Sequence, residues 1–147
     1  MTAKHRILYV EDHEDTSELV TMVLQDRDYE VLTAQTIEAA MSMVHETRFD
    51  LYLLDSWLPD GSGIELCRRI RRVDTNTPIL FYSAAAYEGD QVSAITAGAQ
   101  GYLIKPASFS DLCKLINALI NAAPSDGKRM LEPDGLPYLR LSPEVDG

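Results

Sequence analysis

Four short apolar runs, each stopped by a charged or hydroxylated residue, constrain this chain more than any other feature. Ile7-Leu8-Tyr9-Val10 stops at Glu11-Asp12, and Leu51-Tyr52-Leu53-Leu54 stops at Asp55. Ile79-Leu80-Phe81-Tyr82 stops at Ser83, and Tyr102-Leu103-Ile104 stops at Lys105. Strands buried on both faces read as unbroken apolar runs, so the pattern predicts a parallel sheet covered by helices. A fifth run, Tyr29 to Thr33, alternates and is more polar, as an edge strand would.

Helical spacing fills the intervals. The stripes are Leu19-Val20-Val23-Leu24, Ile37-Ala40-Met41-Val44, Gly63-Leu66-Cys67-Ile70, a weaker Val92-Ile95-Thr96, and Phe109-Leu112-Leu115-Ile116-Leu119. Thr36 is placed to cap the second helix, Ser108 with Asp111 to open the fifth, and Gly98 to close the fourth. Strand and helix thus alternate five times. This predicts right-handed crossovers and a flavodoxin-like doubly wound α/β sheet in the order 2-1-3-4-5. The domain is expected to span residues 1–121. From 122 to 147, Pro124, Pro133, Pro137 and Pro143 break any regular element, leaving a Pro/Gly-rich tail without its own fold.

Charge narrows the function. A net charge of −10 repels phosphate backbones, so direct nucleic-acid binding is not expected. The basic cluster Arg68, Arg69, Arg71 and Arg72 reads as a solvated helix face that suits the negative end of its helix. Cys67 and Cys113 lie in apolar helical stretches and read as small core residues, with no disulfide or zinc spacing. No stretch approaches a membrane span or a signal peptide, so a cytoplasmic setting is expected.

In a parallel sheet the residues just past the strands share one edge, where such folds bind ligands. That edge gathers Glu11, Asp12, Asp55, Ser83 and Lys105. Two like charges about 4 Å apart repel by roughly 4 kcal/mol at an effective dielectric near 20, so three clustered acids call for a cation. Mg²⁺ takes oxygen ligands from one or two carboxylates together with phosphate oxygens. Phosphoryl transfer needs an in-line nucleophile and neutralised equatorial oxygens. Asp55 supplies a carboxylate nucleophile, Lys105 an ammonium, and Ser83 a hydroxyl donor.

The chain resembles the receiver domains of two-component response regulators. The resemblance rests on Tyr9-Val10-Glu11-Asp12, Leu53-Leu54-Asp55-Ser56-Trp57-Leu58-Pro59-Asp60-Gly61-Ser62-Gly63, Phe81-Tyr82-Ser83-Ala84 and Gly101-Tyr102-Leu103-Ile104-Lys105-Pro106, within about residues 6–121. It implies that Asp55 is the phosphoacceptor. Asp12, Asp55 and the Trp57 backbone carbonyl would bind Mg²⁺ or Mn²⁺, with Glu11 assisting. Ser83 and Lys105 would bind the phosphoryl group, Tyr102 would be the switch aromatic, and Lys105–Pro106 would be cis. The donor would be a histidine kinase or a histidine phosphotransfer protein. The output would be a protein-binding face made by the fourth helix, fifth strand and fifth helix, which also implies a homodimer contact. Two residues depart from the commonest pattern: Glu11 stands where Asp is more frequent, and Trp57 where the side chain is usually smaller or more flexible.

The expectation is a stand-alone receiver without small-molecule turnover. The alternatives are a receiver-fold interaction module that is never phosphorylated and a phosphate sink without an output partner. A haloacid-dehalogenase-type phosphatase would need an acid/base Asp at position 57, where Trp57 cannot transfer a proton. A flavodoxin-type flavin carrier would need a hydroxyl-rich loop after the first strand, where Glu11-Asp12-His13-Glu14-Asp15 would repel phosphate. His13 and His45 read as surface residues, and Tyr82 and Tyr87 as ordinary half-buried packing.

Overall fold

The computed structural model describes residues 4–122. The elements run β1 (Arg6–Val10), α1 (Glu14–Asp26), β2 (Glu30–Ala34), α2 (Ile37–Glu46), β3 (Leu51–Leu54), β4 (Trp57–Leu58), β5 (Gly61–Ser62), α3 (Gly63–Val73), β6 (Ile79–Ser83), α4 (Glu88–Ala97), β7 (Gly101–Ile104) and α5 (Phe109–Ala122). The sheet is parallel and five-stranded, in the order β2-β1-β3-β6-β7. Once the two-residue strands β4 and β5 are set aside as a separate antiparallel pair, this is the predicted flavodoxin-like order.

The unbroken apolar runs work as two interleaved sets, because successive strand side chains point to opposite faces. Leu8, Val10, Tyr52, Leu54, Phe81 and Tyr102 pack under α2, α3 and α4 with Ile37, Leu66, Ile70 and Ala94. Ile7, Tyr9, Leu51, Leu53, Leu80 and Leu103 pack under α1 and α5 with Val20, Leu24, Leu112 and Ile116. Each such side chain contributes roughly 1.5–3 kcal/mol by leaving water. Register then fixes the active edge. Val10 lies opposite Leu54, and Leu54 opposite Phe81. The ladder continues one residue beyond the strands: Asp55 N–H donates to Val10 O at 3.1 Å, and Lys105 N–H to Ser83 O at 2.8 Å. The strand-terminal residues therefore emerge side by side.

The local signals mostly hold. Thr36 accepts from Ala39 N–H at 3.1 Å, and Ser108 accepts from Asp111 N–H at 3.0 Å. Gly98 closes α4 at φ +121°, a conformation that an L side chain rarely adopts. A Cβ there would also meet the Arg71 side chain at 2.7 Å.

Three expectations need correction. Leu19 is half exposed, and α1 buries Ser17, Val20 and Leu24 instead. On α4, Val92 and Thr96 face water while Ala94 is buried, because this small-residue helix packs closely against α3 and β7. Tyr87 is exposed, whereas Tyr82 is buried. Cys67 and Cys113 are both buried and free, as expected. The helix α5 includes Ala122, and the remainder of the expected tail lies outside the described residues. Among the described residues no helix is long and apolar enough to cross a membrane.

Candidate functional site

An open cleft of about 510 Å³ lies at the carboxyl edge of the sheet, lined by Glu11, Asp12, His13, Thr16, Asp55, Trp57, Leu58, Pro59, Ala84 and Lys105. Its floor is Asp55. The residue is only 9% exposed, and one carboxylate oxygen accepts from Ser56 N–H at 2.8 Å. Burial, and then the neighbouring Glu11 carboxylate, push the Asp55 carboxyl up to about 6, with Lys105 pulling the other way. Without a further cation, the charged form of Asp55 is costly to hold in this cluster.

Glu11 is almost fully buried. It accepts from Lys105 Nζ at 3.0 Å, from His13 N–H at 3.1 Å and from the Tyr9 hydroxyl at 3.4 Å. Lys105 also lies 5.1 Å from the centre of the Tyr82 ring. Burial, followed by Glu11, pushes the Tyr9 phenol well above its ordinary range, so it donates without ionising. Glu11, Asp12 and His13 can offer ligand atoms that all lie within 4.8 Å of one another. Two hard carboxylates here and a third at Asp55 suit an oxygen-seeking dication such as Mg²⁺. The donor set fits that metal; Asp12 and Asp55 would hold it, and when bound it would neutralise charge on a transferring phosphoryl group.

Behind the cleft lie three hydroxyls. Ser83 is fully buried, and its Oγ accepts from Ala85 N–H at 3.0 Å. Tyr102 is turned inward, 1% exposed, and stacked on Phe81 with ring centres 5.6 Å apart and planes 6° apart. Its hydroxyl donates to Ala85 O at 2.7 Å and lies 3.4 Å from Ser56 Oγ. Burial raises the Tyr102 phenol, while the Ser56 and Ser83 hydroxyls that face it act in the opposite direction. The Lys105–Pro106 bond is cis, as the resemblance implies.

The fold and this edge agree with an independent family match. The family model for the response regulator receiver domain matches residues 7–117. This chain belongs to that family. The receiver is 35% identical over 127 residues to a probable transcriptional regulatory protein of Picosynechococcus sp., covering 82% of this chain and 51% of that protein. It thus spans about half the length of that curated relative. A CheY-like receiver domain protein of Methanospirillum hungatei JF-1 superposes with a TM-score of 0.80 at 27% identity, covering 84% of this chain and 99% of the other. The solution structure of a beryllofluoride-activated NtrC4 receiver domain dimer superposes with a TM-score of 0.77 at 26% identity, covering 81% of this chain and 98% of the other.

In this receiver the loop after Asp55 is held more firmly than its sequence suggests. Trp57 pairs with Ser62 across β4 and β5, and its indole is 66% exposed at the cleft wall. Asp60 reaches α2, accepting from Ile37 N–H at 2.8 Å and Glu38 N–H at 3.2 Å, and the Ile37 bond holds its carboxyl below the usual range. Ser62 caps α3 by accepting from Glu65 N–H at 3.0 Å. Of the site residues picked from the sequence, Glu11, Asp12, Asp55, Trp57 and Lys105 line the cleft, while Ser83 and Tyr102 sit behind it. His13, exposed as expected of a surface residue, and Thr16, which the sequence did not single out, also line the cleft.

Proposed function

We propose that Asp55 accepts a phosphoryl group from a phosphohistidine of a histidine kinase or phosphotransfer protein. An Asp55 oxygen attacks phosphorus in line, the P–N bond breaks, and the imidazole leaves with its electron pair and takes a proton. The observation that carries this reading is the buried Asp55 carboxylate on the floor of a cleft that also holds Asp12, Glu11 and Lys105. Mg²⁺ or Mn²⁺ would be held by Asp12, Asp55 and the Trp57 carbonyl, with Glu11 assisting through water. The Lys105 ammonium and Ser83 hydroxyl would move from their present partners onto phosphoryl oxygens. The Ala84-Ala85-Ala86 loop would then repack around the Tyr102 ring, which already lies inward, changing the face made by α4, β7 and α5. The exposed Tyr87 and Val92 on that side give it an apolar contact surface for a partner protein or a second copy. The setting is cytoplasmic, and no small-molecule turnover accompanies the switch.

Incubation with an acyl phosphate or amidophosphate and Mg²⁺, read by intact mass, tests the chemistry. One phosphoryl group should be gained with the metal and none with a chelator; uptake independent of metal would contradict the proposal.

Trp57 tunes the lifetime of the product. The exposed indole at the cleft wall can shield the acyl phosphate from attacking water. Trp57→Ala should shorten the phosphoryl half-life by about threefold or more. An unchanged or longer half-life would contradict shielding.

A further inference from the structure

We propose that Ser56 is a positioning residue for the switch: its hydroxyl holds the Tyr102 phenol inward before any phosphoryl group arrives. The proposal rests on the reading of Tyr102 as the switch aromatic.

Ser56 follows the phosphoacceptor and is held at three points. Its N–H donates to Asp55 Oδ1 at 2.8 Å, its carbonyl accepts from Gly63 N–H at 2.8 Å, and its side chain is buried. A serine fixed in this way presents its hydroxyl in one place. That place is 3.4 Å from the Tyr102 hydroxyl, across 46 residues of sequence. Tyr102 donates its own proton to Ala85 O at 2.7 Å, so its oxygen is left with lone pairs, and Ser56 is the donor of the pair. The result is a chain of contacts from the backbone beside Asp55, through Ser56 and Tyr102, to the carbonyl of the loop after β6.

The Ser56–Tyr102 link is present before any phosphoryl group arrives. Ser83 would leave the hydroxyl cluster to bind phosphoryl oxygen, whereas Ser56 keeps the bond that its carbonyl accepts from Gly63 N–H, its other bond being to a side-chain oxygen of Asp55. Ser56 therefore stabilises the inward ring both with and without phosphorylation and lowers the contrast between the two states. The oxygen–oxygen separation exceeds that of an ideal hydroxyl pair, so the contact is the weak member of the set and its effect is modest.

Hydrogen exchange of the Ala85 amide, read by NMR without metal or phosphodonor, isolates the contact. That N–H is satisfied by Ser83 Oγ within the loop that Tyr102 clamps. Ser56→Ala should speed its exchange about twofold to threefold, the low end for losing one net hydrogen bond, while amides of β1 and β2 keep the parent's rates. Tyr102→Phe keeps the ring stack on Phe81 and removes only the hydroxyl, and should speed it at least as much. The double variant should equal Tyr102→Phe, because Ser56 acts through that hydroxyl. The proposal is overturned by an unchanged Ala85 rate in Ser56→Ala, by a rise shared with β1 and β2, or by additive effects in the double variant. No phosphorylation occurs in this measurement, so a failure here is separable from failure of phosphoryl uptake.

Discussion

Asp55→Asn is expected to abolish phosphoryl uptake and, in the same molecule, to raise the thermal unfolding midpoint of the metal-free protein at neutral pH. Loss of uptake follows because an amide is not a nucleophile for phosphorus under these conditions. The gain in stability follows from the raised carboxyl. Asp55 titrates at about 6 in the folded chain against an ordinary 3.8, chiefly because it is buried and then because Glu11 lies beside it. An acid whose folded value is raised binds its proton more tightly when folded, so stability falls as pH climbs from the unfolded to the folded value. The cost is absent below 3.8 and fully present above about 6. Two units correspond to roughly 2–3 kcal/mol, or several degrees in midpoint. Asparagine lacks the charge and so escapes the cost. Calorimetry across this window should therefore show parent and variant converging below 3.8, drawing apart between 3.8 and about 6, and staying apart above it. A variant less stable than the parent at neutral pH would overturn the electrostatic account. Mg²⁺ at ten times its dissociation constant should stabilise the parent by about 1.4 kcal/mol and the variant by less.

The second large effect comes from Gly63→Ala. Gly63 opens α3, and its N–H donates to Ser56 O at 2.8 Å. A Cβ at this position would collide with the Asp55 carbonyl oxygen and meet the Phe81 ring at 2.9 Å. The first obstacle is backbone, so no rotamer change relieves it. Either α3 moves off the sheet or the Asp55 peptide is displaced. Overpacking of this kind costs roughly 3 kcal/mol. Because the contact is with the phosphoacceptor's own backbone, uptake should also slow at temperatures where the variant remains folded. Denaturant unfolding and a time course of phosphorylation read the two losses. A variant that matches the parent in both would show that this approach is not the constraint proposed.

These two residues also show what a sequence can reveal. Asp55 was legible because a buried strand must be apolar throughout, so the first carboxylate after Leu54 marks the sheet edge. The same reasoning placed Glu11, Asp12 and Lys105 at that edge. Gly63 was legible only as a member of a helical stripe, since its obstruction comes from the Asp55 carbonyl. Ser56 was not legible as a tether because its contact with Tyr102 spans 46 residues. Asp60 was missed for the same reason, since it caps a helix that precedes it in the chain by 23 residues. The α4 stripe misled because small residues such as Ala94 can be buried without strong amphipathic contrast. Leu19 misled because its neighbour Val20 faces the core and adjacent helical positions diverge by about 100°.

Chemical trapping of the modified residue tests the central claim most directly. After incubation with an acyl phosphate and Mg²⁺, borohydride reduces an aspartyl phosphate to homoserine, which peptide mass spectrometry locates. The account predicts homoserine at position 55 alone, in the parent and only with metal present. A trapped label at Asp12 or another carboxylate, or phosphate retained on His13, would contradict it.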